Sequence, residues 1–423
     1  MTSSSVVVAG GGLAGLRAAL ELATDEYDVR LFERESTVGG RVRTETDEPY
    51  QFDRGFQVLL TAYPEVQSSL DLSALDLRRF PSGATVCRPN HRSTIADPFR
   101  EPTKLFETAF SRDVTIGDKL KTVALRRELR GKSVEEIFQG PDETILESLR
   151  NRGFSDRFVR RFAAPFYGGI TLDRSLSTSK RVFEYTFKMF AEGSAAVPAD
   201  GMGAITEQLA DRARAAGVSI ETETPVQTVE RYGDGVSVEV DGTTVSADAA
   251  VVATDPPTSA ALTGVDAIPT EGKDCTTQYL SVSSVNPISD QPYILVNGAG
   301  EIPNQVAPIG VVAPEYGPDD AVLLSATTLE NPSVSESELF ERTRDVLASW
   351  YPEASFESLS LERSVRCDFA QFAQPPGVHE TLPDVRAPDG PIYLAGDYTM
   401  DSSINGALAS GRIAAEAVRE DLQ

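Results

Sequence analysis

Two glycine-rich stretches stand at opposite ends of the chain. The first is Val6-Val7-Val8-Ala9-Gly10-Gly11-Gly12-Leu13-Ala14-Gly15, an apolar run into a GxGxxG pattern. Gly10 permits a tight turn, Gly12 leaves room for a pyrophosphate, and Gly15 lets a helix pack closely on the strand. A helix starting at Leu13 and Ala14 offers unpaired N–H groups to phosphate oxygens. Glu33 follows Gly15 by eighteen residues, where a carboxylate accepts hydrogen bonds from adenosine ribose hydroxyls; Arg34 lies beside it. Gly39-Gly40-Arg41 brings backbone and a guanidinium to the same ligand. The second stretch is Ile392-Tyr393-Leu394-Ala395-Gly396-Asp397, leading to Ser403-Ile404-Asn405-Gly406-Ala407. Asp397 is suited to accept from a ribityl hydroxyl. A helix beginning at Ile404 turns its positive end toward an isoalloxazine and favours the reduced, anionic flavin. The first stretch alone suits any dinucleotide. The two together point to FAD, held non-covalently, and to redox chemistry.

The elements that must carry these residues follow from periodicity. Val6–Ala9 reads as a buried strand, 13–23 as a helix with Leu13, Leu16, Ala19, Leu20 and Ala23 at helical spacing, and 29–33 as the next parallel strand. From Pro81 the pattern turns helical, over 103–110, 116–129, 133–138, 142–152 and 157–162. Ser133-Val134-Glu135-Glu136 has the form of a capping box. Pro165 ends the last of these helices, and Phe166–Ile170 reads as a loop. A helix over 203–216 precedes short strands at 218–221, 226–231, 236–240 and 243–246, with Gly233-Asp234-Gly235 and Asp241-Gly242 as turns. Residues 249–254 form another apolar strand. Residues 263–365 read as a mixed sheet with a helix over 335–350.

The fold class is therefore α/β: a Rossmann-like FAD-binding domain with an inserted α+β substrate domain, a mixed sheet plus a helical cap. The cofactor domain is assembled from residues 1–79, 196–262 and 366–423. The substrate domain takes 80–195 and 263–365. A chain of 423 residues suits two such domains.

Composition narrows the setting. Net charge is −25, and seven of the thirty-nine basic residues are lysine. This balance resembles cytoplasmic proteins of salt-accumulating halophiles, where molar salt shortens electrostatic screening to about 3 Å. The acidity excludes nucleic acid as a partner. No run approaches the roughly twenty apolar residues that span a bilayer, and no secretory signal is expected. Cys87, Cys275 and Cys367 form no CxxC pair, so structural disulfides and metal sites are not expected, and a cytoplasmic location fits.

Taken together the motifs resemble the flavin amine oxidase superfamily, which includes amine oxidases, protoporphyrinogen oxidase, and the carotenoid and squalene desaturases. The likeness extends to Asp53-Arg54-Gly55-Phe56 and to Val197-Pro198-Ala199-Asp200-Gly201-Met202-Gly203. It implies contacts to FAD from Gly55 and Phe56, and a backbone contact to adenine from Val226. The ending Leu394-Ala395-Gly396-Asp397-Tyr398-Thr399 looks most like the desaturases. Amine oxidases usually carry Glu in place of Asp397, an aromatic residue in place of Ser403, and a lysine near Thr277 or Gln278; Lys273 stands several residues early. Cys367 lies two residues too far from Pro375-Pro376-Gly377 to match a flavin-linking cysteine.

The resemblance implies a desaturase-type reaction on a small apolar substrate of isoprenoid or carotenoid type, with hydride passing from an allylic carbon to the flavin. An oxidase of amines or of a porphyrinogen, and a flavin-binding protein of low turnover, are the alternatives. Phe166, Tyr167, Phe183, Tyr185, Phe187, Phe190, Phe369 and Phe372 are candidates to line an apolar channel. No catalytic base is assigned; Asp368 and Glu184 are candidates, and His91 and His379 are read as non-catalytic. With no second GxGxxG, electrons leave to oxygen, a quinone or a protein carrier. Lys119, Lys121, Arg126, Arg127, Arg130 and Lys132 concentrate basic charge in one helical stretch, suited either to a solvated face or to peripheral contact with anionic lipid at the inner face of the membrane.

Overall fold

Val6–Ala9 is buried on both faces because every side chain in it is apolar, as a central parallel strand requires. In the computed structural model, which describes residues 3–24, 26–96 and 113–422, Ser4–Ala9 is the middle of a five-stranded parallel sheet. The order is Ser219–Glu221, Tyr27–Phe32, Ser4–Ala9, Ala249–Val252, Ile392–Leu394. Three remote stretches of chain thus share one sheet. Helix Leu13–Leu22 follows the first strand, and helix Ile404–Asp421 follows the last. These helices touch backbone to backbone: a Cβ on Gly411 would lie within 2.3 Å of the Ala14 carbonyl.

A seven-stranded mixed sheet forms the second layer. Its order is Ser360–Phe372, Gly272–Ser283, Ala321–Leu329, Gln305–Ala307, Ile294–Asn297, Gly83–Arg88, His91–Ala96. Helix Glu336–Trp350 packs Leu347 and Trp350 into the core on one face of this sheet.

Two expectations are corrected. The first part of the supposed helical cap is a β-hairpin at the edge of the seven-stranded sheet. Thr85, Val86, Thr94 and Ile95 favour strand, and Asn90 (φ +54°) takes the left-handed turn position. Phe166–Ile170 is not a loop but lies within helix Ala164–Thr171. Pro165 does not break the run because a π-helical turn, Val159–Ala163, precedes it. That wider turn absorbs the missing N–H, and Pro165 falls in the first turn of the helix after it, where proline is tolerated. The helices Ile116–Arg130, Val134–Gln139 and Ile145–Asn151 form as expected. The Ser133 capping box is present, Glu136 N–H donating to Ser133 Oγ at 3.1 Å and Ser133 N–H to Glu136 Oε2 at 2.7 Å. The expected helix over 103–110 lies outside the described residues.

The two layers are joined through Asp53. Its carboxylate, 1% exposed, accepts from Thr44 Oγ1 at 2.6 Å, Met202 N–H at 2.9 Å and Tyr316 OH at 2.9 Å. Tyr279 OH donates to the Asp53 carbonyl at 2.9 Å. The two motifs at 53–56 and 197–203 are thereby fixed to the mixed sheet.

Candidate cofactor and substrate cavity

A cavity of about 1130 Å³ runs between the two sheets. Ligand pockets commonly hold roughly 300–1,000 Å³, so this one has room for a dinucleotide and more. Gly10, Gly12, Leu13, Ala14, Glu33, Arg34, Gly40, Arg41, Gly55, Phe56, Val226, Asp397 and Ile404 all line it. Gly15 does not. It stands behind the loop, where a Cβ would meet the Gly10 carbonyl at 2.0 Å.

The cavity divides by chemistry. At one end, helix Leu13–Leu22 begins at Gly12 with no side-chain cap and no acid in its first turn. Its leading N–H groups keep their hydrogen-bonding capacity for an anion. A Cβ on Gly12 would meet nothing within 4 Å, so the space in front of it is open. Gly40 (φ +57°) brings the second loop to within van der Waals reach of the Gly12 Cα. Glu33, 7% exposed, already accepts from Gly11 N–H at 2.7 Å and Glu35 N–H at 2.9 Å. A carboxylate has about four acceptor positions, so it keeps capacity for a ribose diol. Arg34 sits at the rim, 3.8 Å from Asp255.

Arg41 and Asp397 close the middle. The guanidinium donates to Asp397 Oδ1 at 2.6 Å and to the Ala370 carbonyl at 3.2 Å. Ser402 Oγ donates to Asp397 Oδ2 at 3.1 Å. Helix Ile404–Asp421 starts here, capped by Ser403, whose Oγ accepts from Gly406 N–H at 2.9 Å. An uncapped helix end, an open glycine, a ribose-type carboxylate and a guanidinium in one groove fit the phosphate and sugar parts of FAD.

The far end is aromatic. Phe154, Phe158, Phe162 and Phe166 repeat every four residues and meet in sequence, with ring centroids 4.7, 5.4 and 5.3 Å apart, the outer two pairs stacked and the middle pair tilted. Phe190 closes on Phe166 at 5.8 Å. Sequence reasoning found Phe166 and missed the other three, although their i, i+4 spacing was readable. Tyr167, Phe183, Phe187, Phe190 and Phe369 also line the cavity. Two of the expected channel residues do not. Tyr185 stacks on Tyr63 behind the wall, and Phe372 is buried with Val7 and Phe32.

The two candidate bases fare poorly. Glu184 lies outside the lining and is ion-paired to Arg152 at 2.9 Å and Lys132 at 3.6 Å. Asp368 is at the rim, where its side chain is 88% exposed. Neither His91 nor His379 lines the cavity; His91 pairs with Asp113 at 2.9 Å. Thr277 lines it and Lys273 does not.

The chain is similar to several known proteins. A 15-cis-phytoene desaturase of Capsicum annuum is 23% identical over 464 residues, spanning 99% of this chain and 78% of its own. The carotenoid 3,4-desaturase of Haloarcula japonica is 24% identical over 284 residues, 60% of this chain and 56% of that one. Protoporphyrinogen oxidase 2 of Arabidopsis thaliana is 26% identical over 170 residues, 40% of this chain and 33% of its own length. This chain therefore matches a third of that enzyme and just over half of the Haloarcula one. Among solved structures, an oxidoreductase from Methanosarcina mazei superposes with a TM-score of 0.73 at 18% identity, covering 98% of this chain and 100% of that one. Putrescine oxidase bound to putrescine gives 0.73 at 17% identity, covering 99% of each. At these identities the likeness is one of fold. Residues 13–419 match the family described as flavin containing amine oxidoreductase, and the chain belongs to that family, a flavin-dependent oxidoreductase whose cofactor is FAD.

Proposed function

We propose that this enzyme desaturates an apolar, isoprenoid-type substrate. The observation that carries the reading is the phenylalanine ladder of Phe154, Phe158, Phe162 and Phe166, which lines the same cavity as the glycine loops, Arg41 and Asp397. Such a wall binds a long hydrocarbon by burial and ring contact, and among the described residues no carboxylate stands on the ladder to pair with an ammonium. The desaturases of Capsicum and Haloarcula support the same substrate class.

Bound flavin supplies two-electron hydride acceptance. The protein's part is orientation and exclusion of water. Gly12, Glu33, Val226, Arg41 and Asp397 hold the cofactor. The aromatic wall aligns the substrate along one direction. Among the described residues the carboxylates of the lining are Glu33, Glu35, Asp255, Asp368 and Asp397, none on the aromatic ladder. Among the described residues no buried carboxylate stands on the ladder to take the proton, and in this reading solvent at the rim, where Asp368 is exposed, receives it.

Substrate arrives from a lipid surface in this reading. Helix Ile116–Arg130 exposes Ile116 (73%), Leu120 (67%) and Val123 (45%) at i, i+4 and i+7, one stripe of the helix. Arg127 and Arg130 continue that stripe and are exposed. Lys119, Thr122, Val123 and Arg126 line the cavity, so the stripe borders its opening. Apolar side chains ringed by cations suit an anionic bilayer surface, the more so in a chain of net charge −25. The same surface charge favours assay in molar salt.

The test is anaerobic. Protein purified in molar salt is mixed with a polyene precursor carried in micelles. Bleaching of the visible flavin band, and its return on adding quinone, is the expected result. Hydrogen peroxide release with an amine, and no bleaching by the polyene, overturns it.

A further inference from the structure

Two cysteines remote in sequence face each other in the cavity wall. Cys275 on strand Gly272–Ser283 and Cys367 on strand Ser360–Phe372 are register partners in an antiparallel ladder. Such partners stand about 4.5 or 5.5 Å apart at Cα. Both spacings lie in the roughly 4.4–6.8 Å range that a disulfide bridges. The two thiols interact directly, and both residues line the cavity. A Cβ on Gly55 would stand 3.8 Å from Cys367 Sγ and 3.8 Å from Thr277 Oγ1, so this sulfur faces the cofactor loop.

The two sulfurs are not equivalent. The hydrogen bond from Cys275, with the charges of Arg54 and Arg41, outweighs burial and Asp368 and brings the Cys367 thiol down to about 7. Cys275 is pushed up by its neighbour Cys367, by burial and by Asp274. Cys87, the remaining cysteine, is fully buried among Leu280, Leu295 and Trp350, and burial pushes its thiol up. A thiolate that is reachable and beside a second thiol has the arrangement of a resolving pair.

We propose that Cys275 and Cys367 form a dithiol–disulfide switch in the wall of the cofactor cavity, operated by small-molecule disulfides. Cys367 thiolate attacks one sulfur of R–S–S–R, breaking that bond and releasing one thiolate. Cys275, losing its proton to solvent, attacks Cys367 sulfur and expels the second. The sum is two protein thiols plus R–S–S–R giving one protein disulfide plus two R–SH, with the small disulfide reduced by two electrons. The new bond ties together the strands that carry Thr277 and Phe369 into the cavity.

The test uses the FAD-loaded full chain and glutathione disulfide. After acid quenching and alkylation, peptide mapping is expected to find a Cys275–Cys367 link and an unmodified Cys87. The rate is expected to rise with pH through a midpoint of about 7, as the Cys367 thiol ionises. With Cys275→Ser, glutathione remains on Cys367. With Cys367→Ser, modification of Cys275 slows by about tenfold or more. Stable glutathione on Cys367 of the native chain with Cys275 free overturns the proposal. So does reaction no faster than that of Cys87. If either variant fails to fold, the map of the native chain decides.

Discussion

The Arg41 guanidinium meets the Asp397 carboxylate at 2.6 Å, across 356 positions of sequence. Asp397 is buried and the arginine is one-third exposed. The pair fastens the N-terminal glycine loops to the last strand and helix at the cofactor groove.

Removing either partner is expected to weaken FAD before it unfolds the chain. Arg41→Ala and Asp397→Ala each leave a charge in the groove without its partner, which typically costs a few kcal/mol. Because Arg41 is partly solvated, the expected loss of FAD affinity is about 10- to 100-fold. Arg41→Lys restores part of it, since an ammonium keeps charge but not the planar fork. Fluorescence titration of the apoprotein with FAD is the measurement.

Gly12 and Gly15 separate binding from folding. Gly12 has open space in front of it, so Gly12→Ala is expected to change stability by no more than about 0.5 kcal/mol while blocking the phosphate position. Loss of FAD affinity of about 100-fold or more follows, read as a folded, colourless protein. Gly15→Ala puts a methyl 2.0 Å from the Gly10 carbonyl. It is expected to lose stability by about 2 kcal/mol or more, with flavin lost as a consequence. Denaturant curves on both apoproteins distinguish the cases.

The cofactor site was legible where backbone chemistry dictates sequence. Glycines are demanded at close backbone approaches such as that of Gly15 to the Gly10 carbonyl, and Glu33 and Asp397 stand at strand ends that open on the cavity. The substrate half was less legible because any aromatic residue fills a core as well as a channel. Tyr185 and Phe372 had the right composition and the wrong side of the wall. The i, i+4 spacing of Phe154, Phe158 and Phe162 is present in the sequence, but a proline at 165 reads as a helix end, and only the π-helical turn Val159–Ala163 carries the run on to Phe166. The Cys275–Cys367 pairing depends on strand register between remote segments, which neither spacing nor composition encodes.

Phe162 tests the substrate wall apart from the cofactor. Its ring lies between Phe158 and Phe166, at 5.4 and 5.3 Å. Phe162→Ala is expected to raise the KM for a polyene about tenfold, corresponding to the 1–2 kcal/mol of lost ring contact and burial. Bound flavin per protein should not change. Equal loss of flavin and substrate would mean that the ladder is scaffold.

Asp53 gives a pH signature. Burial pushes its carboxyl up to about 6, against the hydrogen bonds from Thr44, Met202 and Tyr316. The folded state therefore holds this proton more tightly than the unfolded state, and the stability so gained is lost as pH rises through about 6. Asp53→Asn has no such titration. The stability of the native chain relative to this variant is expected to improve by about 1 kcal/mol between pH 7 and pH 5, measured by denaturant titration at fixed high salt. An unchanged difference would show that Asp53 is ionised throughout.

The exposed stripe of helix Ile116–Arg130 separates a membrane-facing opening from a solvated one. Leu120→Glu and Val123→Glu alter side chains that are 67% and 45% exposed, so folding should hold within about 0.5 kcal/mol. If the stripe enters the headgroup region, each change removes apolar burial and adds repulsion from anionic lipid. Flotation with vesicles containing phosphatidylglycerol is expected to recover the native chain and to lose the double variant. Vesicles of phosphatidylcholine alone should bind less, because Arg127 and Arg130 then have no anion to meet. Salt separates the two contributions: molar salt screens the charges to about 3 Å and leaves the apolar term intact. Binding that survives high salt but not Val123→Glu therefore assigns the contact to the apolar stripe. Equal recovery of native and variant chains assigns it elsewhere.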